Sequence, residues 1–564
     1  MLLRIWRPLD IMTEIEKQLS KIRMTIFMKS KVLSLLVAIV ASLFVTANAQ
    51  DASMYMKYAN RGDKDAMYNL ADCFWSGKGG VSQDYELSLY WYTKAAKRGH
   101  QPSQFMVAFC YLYGIGTNQS WVSALEYANK AIAKGYSAAY WIKAQLYKDK
   151  YLTGPIQNYE NNLVLAAKGG YGRAQSELGA LLLTGSEQYS IAQDDGSGYY
   201  WISQAADNND DEGLLYLGIC YDRGIRVTAS HEKAMEYYNA SAQLGNAAAQ
   251  AMVGYAYLTG DGVTTNYTTA YQYLKAAADQ GNSYAYGKIG DIYYYGLGVE
   301  VNYNTALEMY KYAANHGDAY SMCCLAYMYG YGIGASEDNA LMYKYYKQAA
   351  DLGNAVGQCG LGDCYMNGYG VAKNEYTAYS WYKKSADQNN ARALYLLAYC
   401  YKNGTGVEKY TYSYIVYLRK AADLSYAPAM SSLAFEYYSG EYIMEGKNYT
   451  KATELFTKAA ELGDTYSQCV LGYSYYKGSD PVSGKNYSEA FKYLSMAVQN
   501  TDFEYQDEET KAYVYHDLAG CYRYGRGTDA DQSLASYYTE LAAKYGNVDS
   551  KRASNLLRRM HDDK

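Results

Sequence analysis

The chain has 564 residues and a formal net charge of −5, with 49% hydrophobic and 16% aromatic residues. That apolar content excludes a wholly disordered chain, and mild acidity without a basic block argues against a nucleic-acid role. Length alone would suggest roughly three or four ordinary domains, but Tyr occurs 73 times against 9 Phe, with only 5 Pro and as many as 50 Gly, which points to one pattern used repeatedly.

In chain order, residues 1–27 read as an upstream extension ahead of the functional start. Met28-Lys29-Ser30-Lys31 is a short basic head, Val32 to Val45 is an apolar run, and Ala47-Asn48-Ala49 suits cleavage before Gln50. This layout predicts a signal peptide over 28–49, because the apolar run is short for a membrane span. The first cysteine beyond it is Cys73, which disfavours a lipid-anchored form. Cleavage removes seven basic and three acidic side chains and leaves a mature charge of −9. The expected product is exported, to the periplasm or outside the cell, and carries no integral membrane span.

From residue 50 to 546 the chain is periodic. Gly245, Gly281, Gly317 and Gly353 recur 36 residues apart, Gly99 and Gly135 mark earlier ends of the same kind, and Asn389, Ser425 and Gly463 continue the series. Such a period predicts a solenoid. Within Asn246–Gly281, Val253, Gly254 and Tyr257 share one helical face, and Thr259-Gly260-Asp261-Gly262-Val263 breaks that helix. Asn266-Tyr267-Thr268 opens a second helix, which runs through Ala270, Tyr273, Leu274, Ala277 and Ala278. Neither helix can bury its apolar stripe alone, so neighbouring units must stack. The unit at 136–170 is degenerate, longer turns fall near 188–197, 442–447 and 479–485, and 547–564 reads as a polar C-terminal cap.

Ile289-Gly290…Tyr293…Gly296-Leu297-Gly298-Val299, Leu361-Gly362…Tyr365…Gly368-Tyr369-Gly370-Val371 and Leu397-Ala398…Tyr401…Gly404-Thr405-Gly406-Val407 carry a family resemblance. They resemble the Sel1-like repeat family, a relative of tetratricopeptide repeats. The resemblance implies an all-α protein, an α/α superhelical solenoid of about thirteen helix-turn-helix repeats. It also implies an adaptor that assembles protein complexes, working as a monomer.

Catalytic patterns are missing from the sequence. The Gly-x-Gly elements follow helices and are explained by turn geometry, not phosphate binding. His100, His231, His316, His516 and His561 show no paired spacing, and there is no His-Glu-x-x-His, Cys-x-x-Cys or nucleophile elbow. The sequence therefore predicts a non-enzyme with no cofactor and no metal. Six cysteines (Cys73, Cys110, Cys220, Cys364, Cys400 and Cys521) precede the repeat's Tyr or Phe. Cys323, Cys359 and Cys469 lie two residues before its Leu, and Cys324 is the exception. Cysteine-rich members of the family staple adjoining repeats, but the second-helix partner is missing here, so reduced thiols are expected. The sequons at Asn266, Asn448 and Asn486 fall where Asn caps the second helix.

The tyrosines divide into two registers. Phe74, Tyr111, Tyr221, Tyr257, Tyr293, Tyr329, Tyr365, Tyr401, Tyr437, Tyr475 and Tyr522 occupy the motif's packing position and are expected in the core. By resemblance to tetratricopeptide repeats, the residue two after the repeat's Leu faces a concave groove. That register reads Asp72, Phe109, Ala180, Ile219, Tyr255, Asp291, Tyr327, Asp363, Tyr399, Phe435, Tyr473 and Gly520. The following positions add Trp75, Tyr294, Tyr438 and Tyr476, then Tyr113, Tyr295, Tyr331 and Tyr524. Rigid amphipathic rings interspersed with carboxylates suit an extended ligand. The expected function is a scaffold of the cell envelope or exterior that binds a peptide or partner surface in this groove. Aromatic faces also stack on sugars, so a glycan or cell-wall binding module is the alternative, and a weak beta-lactam-binding hydrolase ranks behind both.

Overall fold

The computed structural model describes residues 52–155, 157–444 and 446–546. The upstream extension, the signal peptide and the C-terminal cap over 547–564 lie outside the described residues. Among the described residues there are 27 α-helices, one 3-10 helix and no strand, only an isolated bridge between Ser186 and Ile191. After a lead helix, Ala52–Ala59, twenty-six helices alternate in chain order as the first and second helices of thirteen repeats, from Lys64–Ser76 and Tyr85–Lys97 to Glu508–Tyr524 and Gln532–Tyr545. This is the all-α repeat solenoid expected from the period. The degenerate unit is a full pair too, Ala139–Lys148 with Gln157–Lys168. The chain divides into two compact units after Asn266, between Ala247–Thr259 and Tyr267–Asp279.

Local chemistry sets the helix ends. Asp63, Asp210 and Asn246 in the first unit, and Asn282, Asp318, Asn354 and Asp464 in the second, cap first helices with their side-chain oxygens. Asn448 and Asn486 cap second helices, as their sequon positions suggested. Glycine closes most first helices in the left-handed region: Gly368 has φ 81° and bonds back to the Cys364 carbonyl. Two residues on, Gly370 at φ 65° lies so close to the Asn339 carbonyl that no side chain fits.

The motif's Leu-Gly pair has a packing reason. The Leu is buried, and the Gly opens a slot for a tyrosine from the second helix. An added Cβ at Gly290 would stand 2.6 Å from the Tyr310 ring, and one at Gly362 would stand 2.5 Å from the Tyr382 ring. In the first unit Gly218 faces Tyr238 in the same way. Second-helix tyrosines accordingly supply the largest fully buried side chains, Tyr92 and Tyr159 in the first unit and Tyr310, Tyr382, Tyr414 and Tyr493 in the second.

This corrects the expectation for the motif's packing position. Phe74, Tyr329 and Tyr437 are buried there, whereas Tyr111, Tyr221, Tyr257, Tyr293, Tyr365, Tyr401, Tyr475 and Tyr522 are only half-buried. Several lie on second-helix rings instead: Tyr401 stacks on Tyr417 at 5.7 Å and 4°, and Tyr221 on Tyr237 at 5.4 Å and 12°. No disulfide joins the ten cysteines among the described residues, and all but Cys324 are buried. Burial pushes the Cys110 and Cys400 thiols up to about 12, so they pack as small protonated groups.

Candidate binding site

First-helix carboxylates are held from within the chain. In the second unit Asp291 is buried and receives Lys288 Nζ at 2.7 Å, Tyr310 Oη at 2.7 Å and Tyr320 Oη at 2.8 Å. Asp363 takes Arg392 Nη1 at 2.6 Å and Tyr382 Oη at 2.8 Å. Glu436 takes Tyr414 Oη at 2.7 Å and Lys402 Nζ at 3.2 Å, and burial raises its pKa against the pull of both. In the first unit Tyr92 donates to Asp72, and Glu177 gathers Trp141, Gln145, Lys148 and Tyr159 at 2.7–2.8 Å. Asp291 and Asp363 were expected to face a ligand. The structure commits them to internal pairs, because a second-helix tyrosine reaches each one beside the motif glycine. Neither those tyrosines nor Glu177 and Glu436 stood out in the sequence, where the partners have no fixed spacing.

The predicted aromatic residues separate by accessibility. Tyr255 in the first unit and Tyr295, Tyr327 and Tyr331 in the second are exposed. Trp75 and Phe109 are half-buried against each other at 6.2 Å, and Phe109 stacks on Trp141. Tyr399 is half-buried and donates to Ser432 Oγ at 3.1 Å, Tyr473 packs on Tyr513, and Tyr438 packs on Tyr449. Phe435 and Tyr476 are buried and do not form a binding surface, which corrects their assignment. Tyr476 lies under the following repeat, accepting from Arg526 Nη1 at 3.1 Å.

Three of the predicted residues converge. Tyr294 and Tyr295, from helix Ser283–Tyr295, and Tyr327, from helix Ala319–Gly330, line a cavity of about 480 Å³ in the second unit. Tyr310, Tyr320 and Tyr346 complete its walls with the thiols of Cys323 and Cys324, while Asn354 and Val356 close one side. Burial, with Asp291 nearby, pushes the Cys324 thiol up to about 12, and burial pushes the Tyr294 phenol up to about 12. The lining is therefore uncharged at neutral pH apart from the Lys288–Asp291 pair behind Tyr310 and Tyr320. Two other cavities are more polar. One of about 660 Å³ includes Tyr449, Glu454, Lys458 and Asp480, and one of about 420 Å³ in the first unit includes Lys148, Arg173, Glu177 and Glu212. The first contains no residue of the predicted groove registers, and the second contains Tyr113 and Ala180.

Among the described residues one group has the spacing of metal ligands, which the linear sequence did not suggest. The ligand atoms of Asp222, His231 and Asp261 lie within 4.8 Å of one another, and all three side chains reach solvent. His231 Nδ1 lies 2.7 Å from Asp222, whose hydrogen bond raises the imidazole pKa. No described helix is long and apolar enough to cross a membrane.

The Sel1 repeat matches the chain at residues 64–100, 101–136, 172–210, 211–246, 247–282, 283–318, 319–354, 355–390, 391–426, 427–464, 465–502 and 512–547. The unmatched stretch holds the degenerate pair Ala139–Lys148 and Gln157–Lys168. A curated relative, DAP3-binding cell death enhancer 1 of Rattus norvegicus, is 30% identical over 172 residues, which is 30% of this chain and 32% of the relative. The chain thus spans about a third of that relative's length. Among solved structures, a protective antigen of uropathogenic Escherichia coli displaying an SLR fold is 25% identical. That match covers 84% of this chain and 94% of the antigen, with a TM-score of 0.42. A Sel1 repeat protein from Oxalobacter formigenes is 27% identical over 44% of this chain and 96% of its own, with a TM-score of 0.39.

Proposed function

This chain belongs to the Sel1 repeat family, whose repeats generally mediate protein–protein interaction, and we propose that it is a non-catalytic adaptor that holds an extended partner segment on its first-helix tyrosines. We also propose that it acts after export, in the periplasm or outside the cell, on the strength of the 28–49 segment. The observation that carries the adaptor reading is the convergence of Tyr294, Tyr295 and Tyr327 on one open cavity. Exposed Tyr331 extends that surface, its ring 4.5 Å from that of Tyr327. Tyrosine gives large contact area at low conformational cost, which suits a hot spot. The rodent relative is named for binding a protein, which is the same class of activity.

The test compares wild type with a Tyr295→Ala, Tyr327→Ala, Tyr331→Ala variant, both immobilised and challenged with solubilised envelope proteins and with purified cell-wall polymer. All three side chains are exposed, so helicity should not change. The adaptor reading expects discrete proteins retained by wild type and lost by the variant. Polymer binding alone, lost in the variant, would replace it with the glycan reading.

A further inference from the structure

The chemistry of the 480 Å³ cavity narrows what it accepts. We infer that it takes one uncharged, apolar or aromatic side chain of the partner segment, with Asn354 donating to a backbone carbonyl beside it; this rests on the adaptor reading above.

Three observations carry it. First, the charges behind the walls are already spent. Asp291 receives Lys288, Tyr310 and Tyr320, and Lys288 Nζ lies 3.9 Å from the centre of the Tyr320 ring. An incoming carboxylate or ammonium group would lose its hydration without gaining a counter-charge. Second, the surfaces left to a ligand are phenol faces and thiols, which favour aromatic and aliphatic groups. At the mouth, Tyr295 is 62% exposed, Val356 54% and Tyr327 44%, so an inserted side chain would cover apolar surface that now meets water. Third, Asn354 Oδ1 is occupied by the Gly357 amide at 2.9 Å and the Cys323 thiol at 3.5 Å. Its Nδ2 remains to donate to a carbonyl. The 420 Å³ cavity of the first unit, with Lys148, Arg173, Glu177 and Glu212 in its lining, is the polar counterpart that lacks this selectivity.

Saturation-transfer NMR on the whole protein tests the inference with four small probes. N-acetyl-phenylalaninamide and N-acetyl-leucinamide represent the proposed side chains, and N-acetyl-lysinamide and N-acetyl-glutamic acid amide carry charges. The expected result is transfer to the two apolar probes only. Val356→Glu, at an exposed rim position, should weaken that transfer about tenfold by placing an uncompensated charge beside the apolar ligand. Tyr376→Ala, on a different helix and outside the cavity lining, should leave it unchanged. Equal transfer to charged probes, no transfer to apolar ones, or wild-type transfer in a folded Val356→Glu protein would each overturn the inference. If any of these occurs while the triple tyrosine variant still loses its protein partners, the cavity chemistry is wrong and the adaptor reading stands.

Discussion

Tyr310 donates its phenolic hydrogen to Asp291 across 2.7 Å, and it reaches that position because residue 290 is glycine, where a Cβ would stand 2.6 Å from the Tyr310 ring. One motif glycine thereby links helix packing to the hydrogen bonding of a buried carboxylate behind the adjoining cavity. Tyr382 and Asp363 repeat the arrangement beside Gly362.

Gly290→Ala should destabilise the protein, reversing the usual gain of up to about 1 kcal/mol for that change inside a helix. The Tyr310 ring cannot retreat through a filled core, so a loss of about 1–3 kcal/mol is expected from overpacking. Denaturant unfolding followed by circular dichroism measures it, and Gly362→Ala should behave alike.

Tyr310→Phe should cost about 1–2 kcal/mol, because it leaves the buried carboxylate with fewer donors. A double-mutant cycle with Asp291→Asn should show coupling of about 0.5–3 kcal/mol. Strict additivity would mean that the hydrogen bond contributes nothing beyond packing.

Lys402→Met should unmask Glu436, which is 1% exposed on its side chain. Breaking a buried pair by removing one partner costs about 3–5 kcal/mol at neutral pH. Burial already raises the Glu436 pKa, and Lys402 opposes that rise, so the variant raises it further. A carboxyl group that binds its proton more tightly when folded loses its penalty as pH falls. The stability deficit of the variant should therefore shrink on acidification toward the carboxylate range, as read by thermal midpoints across pH.

His100 caps helix Gln101–Tyr113 by accepting the Ser103 amide on Nδ1 at 3.3 Å. Burial holds its pKa below the ordinary 6.5, against the opposing pull of Asp65 and with a smaller push from Lys64. The unfolded chain then binds the proton more readily. The stabilisation is complete above 6.5 and is lost as pH falls below it. His100→Asn, which keeps a cap acceptor of the kind used at Asn246 and Asn282, should flatten this slope in thermal midpoints measured from pH 7 to 5.

Much of the fold was legible because it rests on short-range chemistry. Caps such as Asn354 and left-handed glycines such as Gly368 sit at fixed offsets from the apolar positions, so the period, the helix pairs and their number follow from spacing. The site was legible only in part. Tyr294, Tyr295 and Tyr327, taken from registers that the resemblance to tetratricopeptide repeats assigns to a groove, line one cavity, yet Phe435 and Tyr476 come from the same registers as Tyr327 and Tyr294 and are buried. Their burial depends on what the neighbouring repeat places over them, as Arg526 does over Tyr476. The carboxylate partners were hidden for the same reason. Tyr310 lies after Asp291 in sequence, whereas Tyr414 precedes Glu436 and Tyr159 precedes Glu177, so no single offset reveals the pairs.

The most direct test of the central claim is site-specific photo-crosslinking with p-benzoylphenylalanine at position 327 and, separately, at position 376. Both tyrosines are exposed, but only Tyr327 lines the cavity. Crosslinks from position 327 to one extended segment of a captured partner, with none from position 376, are the predicted result. Crosslinks to that partner from position 376 but not from 327 would contradict the proposal that the first-helix tyrosines hold it.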